Sequence, residues 1–202
     1  MSAAGVKHSP GGAHRLAGTS WKPCLATFLI VLLTVIVLRL EGRVWWCACG
    51  QWNLWAGDPQ SSHSSQHLFD PYSFTHILHG VLICGLFALG LPRLDRAWTL
   101  PLAVLLEAAW EILENSPFII DRYRTATIAL GYTGDSIVNS LGDILSCSLG
   151  FLAARRIGWR WSIALVVATE LILLFWIRDN LLLNIVMLIW PIDAIKSWQA
   201  GP

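Results

Sequence analysis

Charge is what this sequence is short of. Only 13% of its 202 residues are Asp, Glu, Lys or Arg, against about a quarter in an average soluble chain, while 55% are hydrophobic and the mean hydropathy is +0.56. A larger core cannot absorb that imbalance, because a folded chain of this size still exposes roughly 30% of its unfolded surface. The composition is that of a membrane protein. An excess of either sign is missing too: 14 Lys and Arg against 13 Asp and Glu leave a net charge of +1, which removes the electrostatic case for binding nucleic acid. The 16 glycines follow no period and apolar residues dominate throughout, so collagen-like, coiled-coil and disordered classes are excluded, and no internal repeat is present.

What the chain has in quantity is long apolar runs. Segments at 24–40, 72–91, 98–114, 136–154 and 161–177 each approach the ~20 residues a helix needs to cross a hydrocarbon core about 30 Å thick. The expected fold is all-α: a polytopic transmembrane helix bundle of five spans. Residues 181–192, closed by Pro191, are short for a crossing and read as an interfacial or re-entrant helix. Residues 1–22, rich in Gly, Ala and Ser, read as a disordered cytoplasmic tail; 23–202 form one transmembrane domain with an outer loop at 42–71. A cleaved signal peptide competes for the first run. Against it, Arg39-Leu40-Glu41-Gly42-Arg43 stands where a small-residue cleavage site would follow.

Orientation follows from the basic residues in the loops. With the N-terminus inside, the inner segments hold Lys7, Arg15, Lys22, Arg93, Arg96, Arg155, Arg156 and Arg160, and the outer ones Arg39, Arg43, Arg122, Arg124, Arg178 and Lys196. The short loops around Arg93/Arg96 and Arg155/Arg156/Arg160 weigh most, and they place the N-terminus in the cytoplasm.

Charges inside spans cost several kcal/mol each, so they face the bundle interior and mark function. Glu107, Glu111 and Glu114 fall at i, i+4 and i+7 of the third span, within about 60° of one another. Asp135, Asn139 and Asp143 make a similar stripe opening the fourth, and His76 and His79 share a face of the second. The topology collects His76, His79, Glu111, Glu114, Asp135 and Asn139 in the outer leaflet, with Arg122, Arg124 and Arg178 at the mouth and Glu107, Asp143 and Glu170 as an inner floor. Carboxylates and imidazoles at one depth suit acid–base chemistry, with Glu111 or Asp135 as base and His79 as acid. His76, His79, Glu111 and Asp135 also form a ligand set for a divalent metal, and the three arginines suit a phosphate headgroup. Blander roles compete: Glu114 as a solvated interfacial carboxylate, Asp135 as a helix N-cap, the histidines as structural partners.

The outer loop carries Cys47, Cys49, His63 and His67 among tryptophans. Two thiols and two imidazoles are ligands for zinc or copper, although the spacing fits no standard site. A disulfide is the competing account, but Cys47 and Cys49 are awkwardly close, and with Cys24, Cys84 and Cys147 the total of five is odd.

The strings Cys47-Ala48-Cys49-Gly50, Trp55-Ala56-Gly57, Ser65-Gln66-His67, Asp70-Pro71-Tyr72-Ser73-Phe74-Thr75-His76 and His79-Gly80 resemble an uncharacterised family of multi-pass inner-membrane proteins of alphaproteobacteria, a domain of unknown function. So do the segment 110–124, which opens Trp110-Glu111-Ile112-Leu113-Glu114-Asn115-Ser116-Pro117, and the run Gly134-Asp135-Ser136-Ile137-Val138-Asn139-Ser140. The likeness covers about 44–143 and implies a bacterial inner-membrane location, not an activity. A lesser likeness joins Glu111, Arg122 or Arg124, Asp135 and Asn139 to VanZ-like membrane proteins, with Glu114 where those carry Gln.

Three functions fit these residues. The first is an enzyme acting on a lipid or other amphiphile of the bilayer. The second is a proton- or cation-coupled carrier, and the third a non-catalytic assembly protein whose acidic faces pair with arginines. A polar track that stops near the midplane favours the first.

Overall fold

The structure is a computed structural model that describes residues 21–129 and 131–201. All but Trp21 and Lys22 of the expected N-terminal tail lie outside the described residues, as do Lys7 and Arg15; Trp21 and Lys22 open the first helix. Helices dominate: α1 (Trp21–Leu40), α2 (Ser73–Gly90), α3 (Arg96–Glu114), α4 (Pro117–Ala126), α5 (Ile137–Ile177), α6 (Leu181–Ile189) and α7 (Asp193–Ala200).

Three of these are long and apolar enough to cross a membrane by length and composition: α1, α2 and α5. That is fewer than the five expected, for two physical reasons. The 19 residues of α3 include Arg96, Glu107, Glu111 and Glu114, too many charges for an apolar span. The fourth and fifth runs join into one 41-residue helical element, interrupted only where Gly158 takes a left-handed φ of 77°. At Gly158 the chain doubles back. Near the start of α2, Ser73 bonds to Asp143 early in α5 while its neighbour Tyr72 bonds to Asp179 just beyond the end of α5, so both ends of the long element lie at one end of α2.

Glycine sets the central packing. A Cβ on Gly80 of α2 would stand 1.9 Å from the Cys147 carbonyl oxygen, and one on Gly150 of α5 would stand 2.0 Å from that of Ile77. Backbones in this contact leave no room for a side chain, which is the use small residues have between membrane helices. α1 lies on α3, where Ile30 and Val31 meet Val104, Ala108 and Ile144. Its other face exposes Phe28, Leu29, Leu32, Leu33 and Ile36. Its hydroxyls are satisfied locally, Thr27 donating to the Pro23 carbonyl at 3.0 Å and Thr34 to that of Ile30 at 2.9 Å.

The loop before α2 folds onto the N-terminus of α5. The free amides of Ser136, Ile137 and Val138 donate to the carbonyls of Ser65, Val44 and Trp45 at 2.9, 2.8 and 3.2 Å, so loop backbone satisfies the orphan donors of the first helical turn. The Ser136 hydroxyl caps that turn by accepting from the Asn139 amide at 3.2 Å. Asp135 is therefore not the cap.

Candidate functional site

Three helices bring five ionisable side chains together. His76 and His79 come from α2, Glu107 and Glu111 from α3, and Asp143 from α5. The 3.6-residue period puts the i, i+3 imidazoles on one face and the i, i+4 carboxylates on another. The close α2–α5 packing then carries Asp143 to them.

Glu107 is the hub. Its Oε1 lies 2.5 Å from His76 Nδ1 and 3.0 Å from His79 Nδ1, and its Oε2 lies 3.1 Å from His79 Nδ1. When both imidazoles carry their proton on Nδ1 they donate to this one carboxylate, and a cation shared with Glu107 would take the place of those protons. His76 Nε2 faces Asp143 Oδ2 at 3.8 Å. The other oxygen of Asp143 accepts from the Ser73 hydroxyl at 2.9 Å. Glu111 is fully buried, and neither of its oxygens has a hydrogen-bond partner; His76 Nδ1 is 3.4 Å from Oε1 but not aligned to bond.

The charge balance is lopsided. Three buried carboxylates face two imidazoles, and among the described residues no Lys or Arg forms an ion pair with any of them; the one other ion pair is Arg124 with Asp121. Even with both imidazoles protonated one negative charge is left over. Burying an unpaired carboxylate is costly enough that such groups pair, protonate or bind metal. The donor atoms of His76, His79 and Glu107, and again those of His76, Glu111 and Glu114, lie within 4.8 Å of one another, close enough to share a cation.

His79 is the least buried member of the centre. His79 keeps 19% of its side chain exposed, against 8% or less for the other four, and Trp110 stands edge-on to it with ring centroids 6.2 Å apart. Beyond His79 along α2 the three helices pack apolar side chains together: Phe87 of α2, Ala103 of α3 and Phe151 of α5, with Ile83, Leu94 and Leu100 packed around them.

Several candidates sit elsewhere than the sequence suggested. Glu107 lies at the centre rather than on a floor beneath it. Glu170 leaves the site altogether: its two oxygens accept from the Leu181 and Leu182 amides at 3.0 and 3.1 Å, and it caps α6. Glu114 accepts from the Tyr123 hydroxyl at 2.8 Å. Asp135 accepts from Asn115 Nδ2 at 3.0 Å and from the Tyr132 hydroxyl at 2.9 Å. Burial pushes the Asp135 carboxyl above the usual aspartate range, while those bonds pull it down. Asn139 holds the loop by donating to the His67 carbonyl at 2.8 Å.

The arginines serve backbone. Arg122 donates to the carbonyls of Leu188 and Ile189 at 2.7 and 3.1 Å, Arg124 to that of Tyr132 at 2.6 Å, and Arg178 to that of Trp198 at 3.4 Å. They close the C-terminal ends of helices and loops.

Two residues not anticipated prove central to the support of the site. Asp70 accepts from the Ser65 and Tyr72 amides at 2.7 and 2.8 Å and fixes the entry to α2. Burial raises its carboxyl, and these amide bonds oppose that rise. Asn115 joins α3 to α5 through Asp135. For Asp70 the Asp-Pro-x-Ser string, a turn initiator, was the available signal. For Asn115 there was none.

The family described as a protein of unknown function, DUF2585, matches residues 38–201. The UPF0314 protein of Sphingopyxis alaskensis is 49% identical over 193 residues, covering 95% of this chain and 98% of its own. The UPF0314 protein of Paracoccus denitrificans is 46% identical over 179 residues, covering 89% and 93%, and that of Rhizobium johnstonii is 50% identical over 177, covering 88% and 91%. No solved structure matches the chain.

Proposed function

The chain belongs to this family of proteins of unknown function, and on that footing we propose that it is an inner-membrane protein whose buried His–carboxylate centre binds a divalent cation and acts on the polar head of an amphiphile. The observation that carries the reading is Glu111. A fully buried carboxylate with both oxygens unbonded, beside two more carboxylates and two imidazoles, is short of positive charge, and a divalent ion supplies it.

His76, His79, Glu107 and Glu111 are the ligand candidates, and Asp143, oriented by Ser73, faces the His76 ring. A bound ion of this kind polarises a phosphoryl or carbonyl oxygen. His79, the least buried of the five, is the group an incoming head would meet first and the one placed to exchange a proton with it.

Membrane placement rests on five crossings: α1, α2, α3 and the two halves of α5 on either side of Gly158. α3 is tolerable in lipid because Glu107 and Glu111 are buried while Leu105, Leu106 and Leu113 are exposed. In the second half of α5, exposed Trp159 and Trp161 stand at one end and Phe175 and Trp176 at the other, with exposed Ile163, Val167, Leu171 and Ile172 between them. That is the arrangement of an aromatic belt at each interface. The N-terminus is assigned to the cytoplasm from the arginine-bearing loops around Arg93 and Arg155. The apolar layer of Phe87, Ala103 and Phe151 speaks against the carrier reading, since a proton path would have to pass through it.

The test uses the full chain in lipid nanodiscs, with bound divalent metal and co-purifying phospholipid measured for E111Q, H79A and D135N. Helical content and elution volume confirm the fold. The expected result is loss of one metal equivalent from E111Q and H79A, with D135N unchanged because Asn115 and Tyr132 already engage that carboxylate. Equal metal in all folded variants, or no metal in the parent chain, overturns the reading.

A further inference from the structure

We infer a second metal site, independent of the first: Cys47, Cys49, His63 and His67 form a Cys2His2 zinc centre that staples the loop at 42–71. Their four donor atoms all lie within 4.8 Å of one another, and Cys47 Sγ is 3.4 Å from His63 Nδ1. Zinc bonds of about 2.3 Å to sulfur and 2.0–2.1 Å to nitrogen put tetrahedral ligand atoms about 3.4–3.8 Å apart, so the four need close by no more than about 1.4 Å.

His67 is the independent sign of a ligand. Its ring is 1% exposed, and its Nε2 is buried with no partner. Asn139 of α5 holds the His67 backbone, and Trp46 stands edge-on to the imidazole with ring centroids 6.3 Å apart. The Trp46 indole N–H is shared between the Gln51 carbonyl at 3.1 Å and His67 Nδ1 at 3.3 Å. The carbonyl serves it alone once Nδ1 carries the imidazole proton and Nε2 takes a metal.

Backbone amides are turned onto both cysteine sulfurs. The Cys49 amide donates to Cys47 Sγ and the Gln51 amide to Cys49 Sγ, each at 3.4 Å, and Gly50 turns the chain with a left-handed φ of 74°. Amide-to-sulfur bonds support thiolate ligands and orient them, as outer-shell bonds do in metal sites. Both cysteines are free thiols. Two sulfurs and two imidazoles are a borderline-soft set that selects zinc over magnesium or calcium, unlike the carboxylate-rich centre between the helices.

The consequence is mechanical. Cys47 follows Val44 and Trp45, and His67 follows Ser65; these are the residues whose carbonyls cap the first turn of α5. One ion would tie both capping stretches together at the entrance to α2.

The test is cobalt substitution of the full-length protein in detergent. The parent chain is expected to show a thiolate-to-cobalt charge-transfer band and the intense visible absorption of tetrahedral cobalt. C47S and H67A should weaken the thiolate band at least tenfold, whereas H76A, which touches only the metal between the helices, should leave that band unchanged. X-ray absorption of the zinc-loaded parent should show sulfur neighbours, two per zinc when this loop alone is filled and one per zinc on average when the helix-buried centre is filled as well, a readout that needs no variant to fold. No thiolate band in the parent, a band that survives C47S, or zinc bound without sulfur neighbours overturns the site. Failure of the helix-buried centre alone would remove the H76A-sensitive metal and leave this band in place.

Discussion

His76 and Asp143 approach to 3.8 Å across the α2–α5 interface because Gly80 and Gly150 let the two backbones touch. The Asp143 side of the polar centre is thus a product of helix packing: it reaches His76 only while α2 and α5 stay in backbone contact.

Gly80→Leu tests that dependence. A side chain there meets the Cys147 carbonyl and the Phe151 amide, which are backbone and cannot yield. Overpacking of this kind costs about 1–3 kcal/mol. The expected outcome is a lower thermal midpoint in detergent together with loss of the metal bound between the helices; a variant that keeps both would show that the contact is not what assembles the site.

Glu170→Ala should separate structure from function. It removes the acceptors of the Leu181 and Leu182 amides and costs about 1 kcal/mol of α6 stability, in the range of a lost helix cap. Metal and lipid content should not change. Hydrogen exchange would show faster amides confined to α6 and its neighbours.

Asn115→Ala breaks a two-way link, since Asn115 Nδ2 donates to Asp135 and the Asp135 amide donates back to Asn115 Oδ1 at 2.7 Å. Leaving buried partners unsatisfied costs about 1–3 kcal/mol. Chemical denaturation should report that loss, larger than the loss for the exposed Asp121→Ala, which removes only a long ion pair to Arg124.

Asp179 gives a pH dependence. Burial raises its carboxyl from 3.8 to about 6, against the pull of the Asn180 amide and the Tyr72 hydroxyl. A raised acid is favoured in the fold when protonated, so its contribution is complete below about pH 3.8 and is lost as pH rises through about 6. The parent chain should lose stability relative to D179N across that window, by at most about 3 kcal/mol. Parallel pH curves for the two would rule out the coupling.

Much of this was readable in the chain. Apolar runs marked the helices because lipid-length segments need no partner to be recognised, and the i, i+3 and i, i+4 spacings put His76 with His79 and Glu107 with Glu111 before any packing was known. Helix α4 was read as loop: it is ten residues long and only partly apolar, and its Ser116-Pro117 start was the one local signal. The hydrogen-bond partners of Glu170 and the arginines are not legible in the sequence for a different reason. They are backbone groups eight or more residues away, most of them reached only after Gly158 folds α5 back and α6 docks, and no local pattern encodes such contacts.

The most direct test is X-ray absorption at the metal edge of the C47S/C49S double variant, purified in nanodiscs and supplied with one divalent metal. A buried centre of His76, His79, Glu107 and Glu111 predicts about one equivalent of bound metal, surrounded only by nitrogen and oxygen and showing imidazole scattering, all of it lost when Glu111→Gln is added. A folded double variant that holds no metal, or whose metal is indifferent to Glu111, contradicts the account.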